Sequence, residues 1–208
     1  MPIIENEGIR VLFLHIPKTG GTTLNNWLGE NTKRSFYSGS PPTSFKVTPQ
    51  HLPLGDIRVL FDNDWFDWRF AVVRNPYDRI ESEFFYLTHN AHRRTGRRPD
   101  FSTWLINNIA NFKRNPFIHD NHLRPQIDFL DDDVTVFRFE NGLEKAASVI
   151  AEKLKIAPPE SLPITNARPR EKVVWSLESL NLFNDCYRHD LERLGYEYRD
   201  RAISIEGE

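Results

Sequence analysis

The first strong hydrophobic run is Ile9-Arg10-Val11-Leu12-Phe13-Leu14-His15-Ile16, apolar at nearly every position. Such a run suits a strand buried on both faces, as in a parallel sheet. Residues 17–23, Pro-Lys-Thr-Gly-Gly-Thr-Thr, break it, and Leu24, Trp27 and Leu28 then recur at helical spacing. The pattern predicts strand, tight loop and helix in that order. The same order returns at Phe70–Val73, which Arg74-Asn75-Pro76 stops before Tyr77, Ile80, Phe84 and Leu87 mark one helix face. Pro76 suits a first helical position, where its missing N–H is no loss, and Asn75 suits the cap before it.

Between and after these junctions the pattern is weaker. Residues 34–50 read mostly as loop, 53–61 as a short helix and 89–99 as a polar, basic loop. Phe101–Ile109 predicts a helix, Val134–Phe139 a third strand, and Leu143–Leu154 an amphipathic helix that stops before Pro158-Pro159. Residues 158–172 read as loop and 173–194 as mainly helical. With no internal repeat and no low-complexity linker, 1–208 is expected to be a single domain. Its class is α/β, with a central parallel sheet flanked by helices on both faces.

Composition narrows the chemistry. The chain is 39% hydrophobic, 12% aromatic and 27% charged, which excludes a disordered chain. Net charge is -2, so no global positive field gathers polyanions, no nucleic-acid partner is expected, and any anionic ligand must be held by local groups. A single cysteine, Cys186, excludes an intramolecular disulfide, and no Cys/His spacing suggests zinc. Glu5 and Glu7 interrupt any secretory signal, and no apolar run nears the ~18 residues of a membrane helix. The expectation is a cytoplasmic protein without a membrane span.

The loop between the first strand and its helix carries the clearest chemistry. Gly20 and Gly21 permit positive φ and close backbone approach, and the helix start offers unpaired N–H groups with partial positive charge. Lys18 adds a point charge, and Thr22 and Thr23 add hydroxyl donors. The signature G-x-x-x-x-G-K-[ST] places its lysine after the last glycine. Here Lys18 precedes both, so the loop suits phosphate without being that motif. At the second junction Arg74 leaves the carboxyl end of a strand, where open α/β sheets bind ligands. Ser82 lies off the core face one turn after Asp78, and an arginine with a hydroxyl can hold a phosphate monoester. The competing reading pairs Arg74 with a carboxylate and leaves Ser82 merely exposed. His122, Arg124 and Gln126 form a polar cluster suited to acceptor contact or to support of the sheet end, and residues 92–98 form a basic segment.

Together, His15-Ile16-Pro17-Lys18-Thr19-Gly20-Gly21-Thr22-Thr23 and Val73-Arg74-Asn75-Pro76-Tyr77-Asp78-Arg79 with Ser82 resemble the two donor-binding motifs of sulfotransferases that use 3′-phosphoadenosine-5′-phosphosulfate (PAPS). The likeness is to the carbohydrate-sulfotransferase branch and its bacterial relatives. It extends more weakly through His51, His122-Leu123-Arg124-Pro125-Gln126, Phe137-Arg138-Phe139-Glu140 and Tyr187–Tyr196. The resemblance implies a nucleotide-kinase-like P-loop fold and no metal cofactor. It implies that Pro17–Thr23 bind the donor, with Lys18 bridging the leaving phosphate and the transferring group, and that Arg74 and Ser82 hold the 3′-phosphate. The products would be PAP and a sulfated hydroxyl, expected on a carbohydrate or glycoconjugate. The attacking hydroxyl needs a base, and an unperturbed imidazole titrates near ~6.5. His51 matches the family's base position best, and His15 at the strand end is the rival. A P-loop phosphotransferase of kinase type is the alternative function, and a non-catalytic module binding a phosphorylated adenosine is a third.

Overall fold

The computed structural model describes residues 1–162 and 172–199, so most of the loop expected at 158–172 lies outside the described residues. Those residues fall into two compact units. The first takes in residues 1–74, 120–122 and 126–162, and the second 75–119, 123–125 and 172–199.

The first unit is built on a five-stranded sheet of order β3-β1-β2-β4-β5. Its strands are β1 (Ile3–Asn6), β2 (Ile9–Leu14), β3 (Lys33–Ser35), β4 (Trp68–Val73) and β5 (Thr135–Arg138). β2, β4 and β5 are mutually parallel, as the apolar runs predict. β1 is antiparallel to both β2 and β3. The expected parallel sheet is therefore a mixed one, corrected on one side by a hairpin. Glu7 (φ 48°) and Gly8 (φ 82°) form its two-residue turn, and positive φ at both central positions matches the right-handed strand twist. β3 runs into the span read as loop, and its three residues are too few to show alternation.

β2 and β4 are buried on both faces. Val11 and Phe13 of β2 and Phe70 and Val72 of β4 join Leu24, Trp27 and Leu28 of α1 (Gly21–Asn31) in one core. Ala146, Ala147, Ile150, Ala151 and Leu154 of α5 (Leu143–Leu154) complete it. Phe13 and Phe70 are register partners and stack with centroids 4.6 Å apart. Leu12, Leu14, Ala71 and Val73 alternate with these residues and are equally inaccessible. Full burial of such side chains contributes about 1.5–3 kcal/mol each, which anchors the carboxyl ends of β2 and β4 where the site begins. The short helix expected at 53–61 is α2 (Leu54–Leu60).

The second unit is helical: α3 (Pro76–Thr95), α4 (Phe101–Arg114), α6 (Leu177–Cys186) and α7 (Arg188–Leu194). Tyr77, Ile80 and Phe84 meet Phe101, Leu105 and Ile109 and then Trp175, Leu180, Phe183, Tyr187 and Leu191. Asn75 caps α3 by accepting from the Tyr77 N–H at 3.0 Å, and Pro76 follows it at the helix start. α3 runs through most of the segment read as a basic loop. Nothing between His89 and Thr95 breaks a helix, and the stop is Gly96 in the left-handed region (φ 68°). His92, Arg93 and Arg94 thus sit in the last turn, where cations complement the helix dipole.

Candidate active site

The loop after β2 is shaped by three local devices. Ile16 N–H turns back to the Leu14 carbonyl at 3.0 Å, and the Thr19 hydroxyl donates to the Ile16 carbonyl at 2.9 Å. Lys18 (φ 68°) and Gly20 (φ 85°) adopt left-handed backbone on either side of Thr19. At Gly20 a Cβ would lie 2.8 Å from Leu143 Cδ1 and 2.9 Å from Phe139 Cε2, so conformation and space both demand glycine there. α1 then begins with no side-chain cap and no acidic residue in its first turn. Thr23 and Leu24 N–H return to the Gly20 carbonyl. The amides of Gly21 and Thr22 stand among the helix's first donors, which have no carbonyl one turn back. Thr22 is exposed and Thr23 buried, and Pro17 is buried beneath the turn.

Gly21 is needed for a different reason. A Cβ there would fall 2.1 Å from Cδ2 and 2.3 Å from Nε2 of His15, whose ring lies over the start of α1. Gly→Ala in a helix ordinarily stabilises by about 1 kcal/mol, but here the methyl meets a buried ring that stacks on Phe13. Overpacking of this kind costs about 1–3 kcal/mol. Gly21→Ala is expected to lower the urea midpoint; a rise would show that the ring moves aside without cost.

Arg74, at the carboxyl end of β4, is 6% exposed. Its backbone is clamped by Gln126, which accepts from the Arg74 N–H at 2.9 Å and donates to the Arg74 carbonyl at 2.8 Å. Gln126 thereby supports the sheet end. The Arg74 guanidinium donates to the Lys18 carbonyl at 3.1 Å and lies 4.6 Å from the Phe139 ring centroid. Arg74 therefore braces the backbone of the loop that carries Lys18. Ser82, half-buried on α3, belongs to the second unit, as does Arg124, whose carbonyl accepts from Arg79 at 2.8 Å.

His51 lies at the end of a short 3₁₀ turn, Pro49–His51, and is buried. Its Nδ1 is 2.7 Å from Oδ2 of Asp120. The Thr48 backbone N–H donates to Oδ1 at 2.6 Å and the Thr48 hydroxyl to Oδ2 at 2.7 Å. An ionised carboxylate only accepts, so His51 carries its hydrogen on Nδ1 and presents Nε2 as proton acceptor. Asn121 donates from its side-chain amide to the His51 carbonyl at 2.9 Å, fixing the backbone as well. Asp120 (φ 56°) and Asn121 (φ 63°) are both left-handed, a conformation Asp and Asn tolerate best but which still costs about 1 kcal/mol or more per residue. Strain held at this point aims the carboxylate at His51. Around the ring stand His15, 5.1 Å away edge-on, and His122, 4.9 Å away edge-on, with the Met1 amino group contributing at longer range.

Burial lowers the His51 imidazole to about 4, with the Asp120 hydrogen bond offsetting part of that effect. Burial also holds His15 well below the ordinary histidine value. For Asp120, burial pushes the carboxyl up, but the hydrogen bonds from His51 and Thr48 outweigh it and hold the group well below its usual range. In the unfolded chain His51 takes a proton near pH ~6.5, long before the folded ring does. The stability contributed by the neutral ring is thus complete above that pH and is lost as pH falls from about 6.5 to about 4. The shift corresponds to about 3 kcal/mol, and His15 acts in the same direction. The Asp120 contribution is lost only below the usual carboxylate range, near ~4. Urea midpoints measured from pH 8 to 4 are expected to fall steeply for the wild type and less for His51→Gln; equal slopes would refute the assignment.

The sequence expectation named Lys18, His51 and their neighbours but did not single out Asp120 or Thr48. Asp120 stands 69 residues from His51, and the only local signal is an Asp-Asn pair directly before His122.

The first unit thus sets a glycine loop and an acid-free helix start in the same α/β fold as a buried histidine–carboxylate pair. Residues 2–197 match the model of the sulfotransferase family, a match that runs through both units. The chain therefore belongs to the sulfotransferase family, whose general chemistry is sulfuryl transfer. No curated protein and no solved structure matches it. Among the described residues no helix is long and apolar enough to cross a membrane.

Proposed function

We propose that this protein is a PAPS-dependent O-sulfotransferase acting on a hydroxyl of a carbohydrate or glycoconjugate, with the chain forming one sulfotransferase domain in the cytoplasm. One observation carries the reading: His15 packs on Gly21 of the phosphate loop and is edge-on to His51, which sets the histidine–carboxylate pair one ring away from the loop. This supports a base beside an anion site within one unit.

The loop suits the donor, because left-handed backbone at Lys18 and Gly20 leads into a helix start with no side-chain cap and no acidic residue in its first turn. Within the donor-binding stretch Pro17–Thr23, the backbone and hydroxyls of Gly20–Thr23 would hold the 5′-phosphate, with Lys18 at the bridging oxygen. Arg74 and Ser82 are assigned to the 3′-phosphate. PAPS supplies a sulfuryl group already activated by a phosphate leaving group. His51 Nε2 takes the proton of the attacking hydroxyl and Asp120 stabilises the imidazolium. Lys18 offsets the charge that builds on the departing phosphate. Positioning and charge stabilisation dominate such an in-line displacement. His51 is favoured over His15 because it alone of the two is bonded to a carboxylate in the structure. His122 and Arg124 are assigned to the acceptor side. The kinase-type alternative is disfavoured by the family match.

Two measurements test the reading. Calorimetry without Mg²⁺ is expected to show PAP binding far more tightly than ADP or AMP, and equal affinity for PAP and AMP would remove the 3′-phosphate assignment. PAP formation from PAPS across hydroxyl acceptors, with products identified by mass, is expected to favour carbohydrates. Donor consumption without any sulfated product would overturn the function.

A further inference from the structure

His51, Asp120 and His122 each present one ligand atom, and these atoms all lie within 4.8 Å of one another. Ligands about 2.1 Å from a tetrahedral zinc ion stand about 3.4 Å apart, so small side-chain rotations close the set. Two imidazoles and one carboxylate suit a borderline transition metal and leave an open coordination position, whereas Mg²⁺ and Ca²⁺ prefer all-oxygen sites. Asp120 and His122 are half-buried and His51 is buried, so the set is partly accessible and partly shielded from solvent.

The set is also braced as a metal site is. Thr48 holds both carboxylate oxygens of Asp120 through its N–H and its hydroxyl. Asn121, between the two ligands 120 and 122, ties that segment to the His51 carbonyl. Partners of this kind orient ligands and are worth about 10–100-fold in metal affinity.

We infer that His51, Asp120 and His122 form a binding site for Zn²⁺ or a similar transition-metal ion, and that occupancy switches the enzyme off. Binding through Nε2 consumes the lone pair that would accept the hydroxyl proton. Binding through Nδ1 displaces the hydrogen shared with Asp120 to Nε2, which then donates instead of accepting. Either geometry removes the base. The inhibition rests on the proposed role of His51, whereas the metal site does not.

The test uses chelator-treated full-length protein. Zn²⁺ is followed by calorimetry and Co²⁺ by its visible absorption, at neutral pH and without donor or acceptor. One ion per chain is expected, with Mg²⁺ binding far more weakly. His122→Gln and Asp120→Asn, each confirmed folded by circular dichroism, are expected to weaken Zn²⁺ by at least about tenfold. His189→Ala, on the exposed side of α7, leaves binding unchanged. A dissociation constant above about 1 mM, or affinity that neither variant alters, overturns the site. In the activity arm Zn²⁺ inhibits sulfuryl transfer, a chelator restores it, and His122→Gln raises the inhibitory concentration by the same factor as its dissociation constant. Binding without inhibition overturns the switch. Metal binding in a protein that sulfates no acceptor supports the site and removes the proposed function; sulfation with no metal binding does the reverse.

Discussion

His51→Ala lowers kcat by roughly 10²–10⁴-fold, the usual contribution of a positioned general base, while PAP affinity stays near the wild-type value. The imidazole is not needed to hold an anion, since burial keeps it neutral. Asp120→Asn tests the second half of the arrangement. An amide in place of the carboxylate no longer dictates which ring nitrogen carries the hydrogen, and it cannot stabilise the imidazolium. Where a carboxylate sets the tautomer, its replacement by an amide costs up to about 10⁴-fold. The pH dependence separates a base from a structural residue. The folded ring titrates at about 4, so kcat/KM is expected to stay level from pH 8 to near 5 and to decline only below that. A decline centred near ~6.5, the unperturbed value, would show that the acting base is a different, more exposed group. His51→Ala retaining normal turnover while a folded His15→Ala is inactive would move the base to the strand end.

Lys18→Ala lowers kcat by about 10²–10³-fold at saturating donor, the size of effect seen when one group stabilising transition-state charge is removed. Lys18 stands in left-handed backbone at the tip of the loop, and its carbonyl is braced by Arg74. The backbone brace from Arg74 does not pass through the Lys18 side chain, so the proposed action on the departing phosphate is tested separately from the loop's backbone support. Lys18→Arg restores only part of the rate, because a flat fork does not replace a compact point charge. Arg74→Ala has a different signature. It removes the brace as well as the proposed phosphate contact, so PAP affinity falls more than single-turnover rate does. Full turnover by Lys18→Ala at saturating donor would end the role given to this lysine.

Much of the site's scaffold is legible in the chain because it is local. The β2–loop–α1 and β4–α3 junctions are written in short apolar runs that change to helical spacing, with Asn75 and Pro76 marking the second helix start. Pro158-Pro159 bounds the amphipathic run at Leu143–Leu154 in the sequence, and in the structure α5 ends there on a left-handed Lys155. Of the basic stretch 89–99, the charge density suggests loop, but 89–95 continue α3 and only from Gly96 onward does the chain leave the helix. β1 escaped notice because four residues, Ile-Ile-Glu-Asn, are too few to set a period.

By itself, then, the sequence determined the parallel core of β2, β4 and β5, the glycine-dependent loop and the residue types available for anion binding, since backbone preference and side-chain period act over a few neighbours. Only the tertiary structure decided that Asp120, 69 residues further along the chain, reaches His51. It also decided that Arg74 turns its guanidinium to the Lys18 carbonyl and that burial lowers both His15 and His51. These depend on long-range packing and on the dielectric surroundings it creates, neither of which a local pattern encodes.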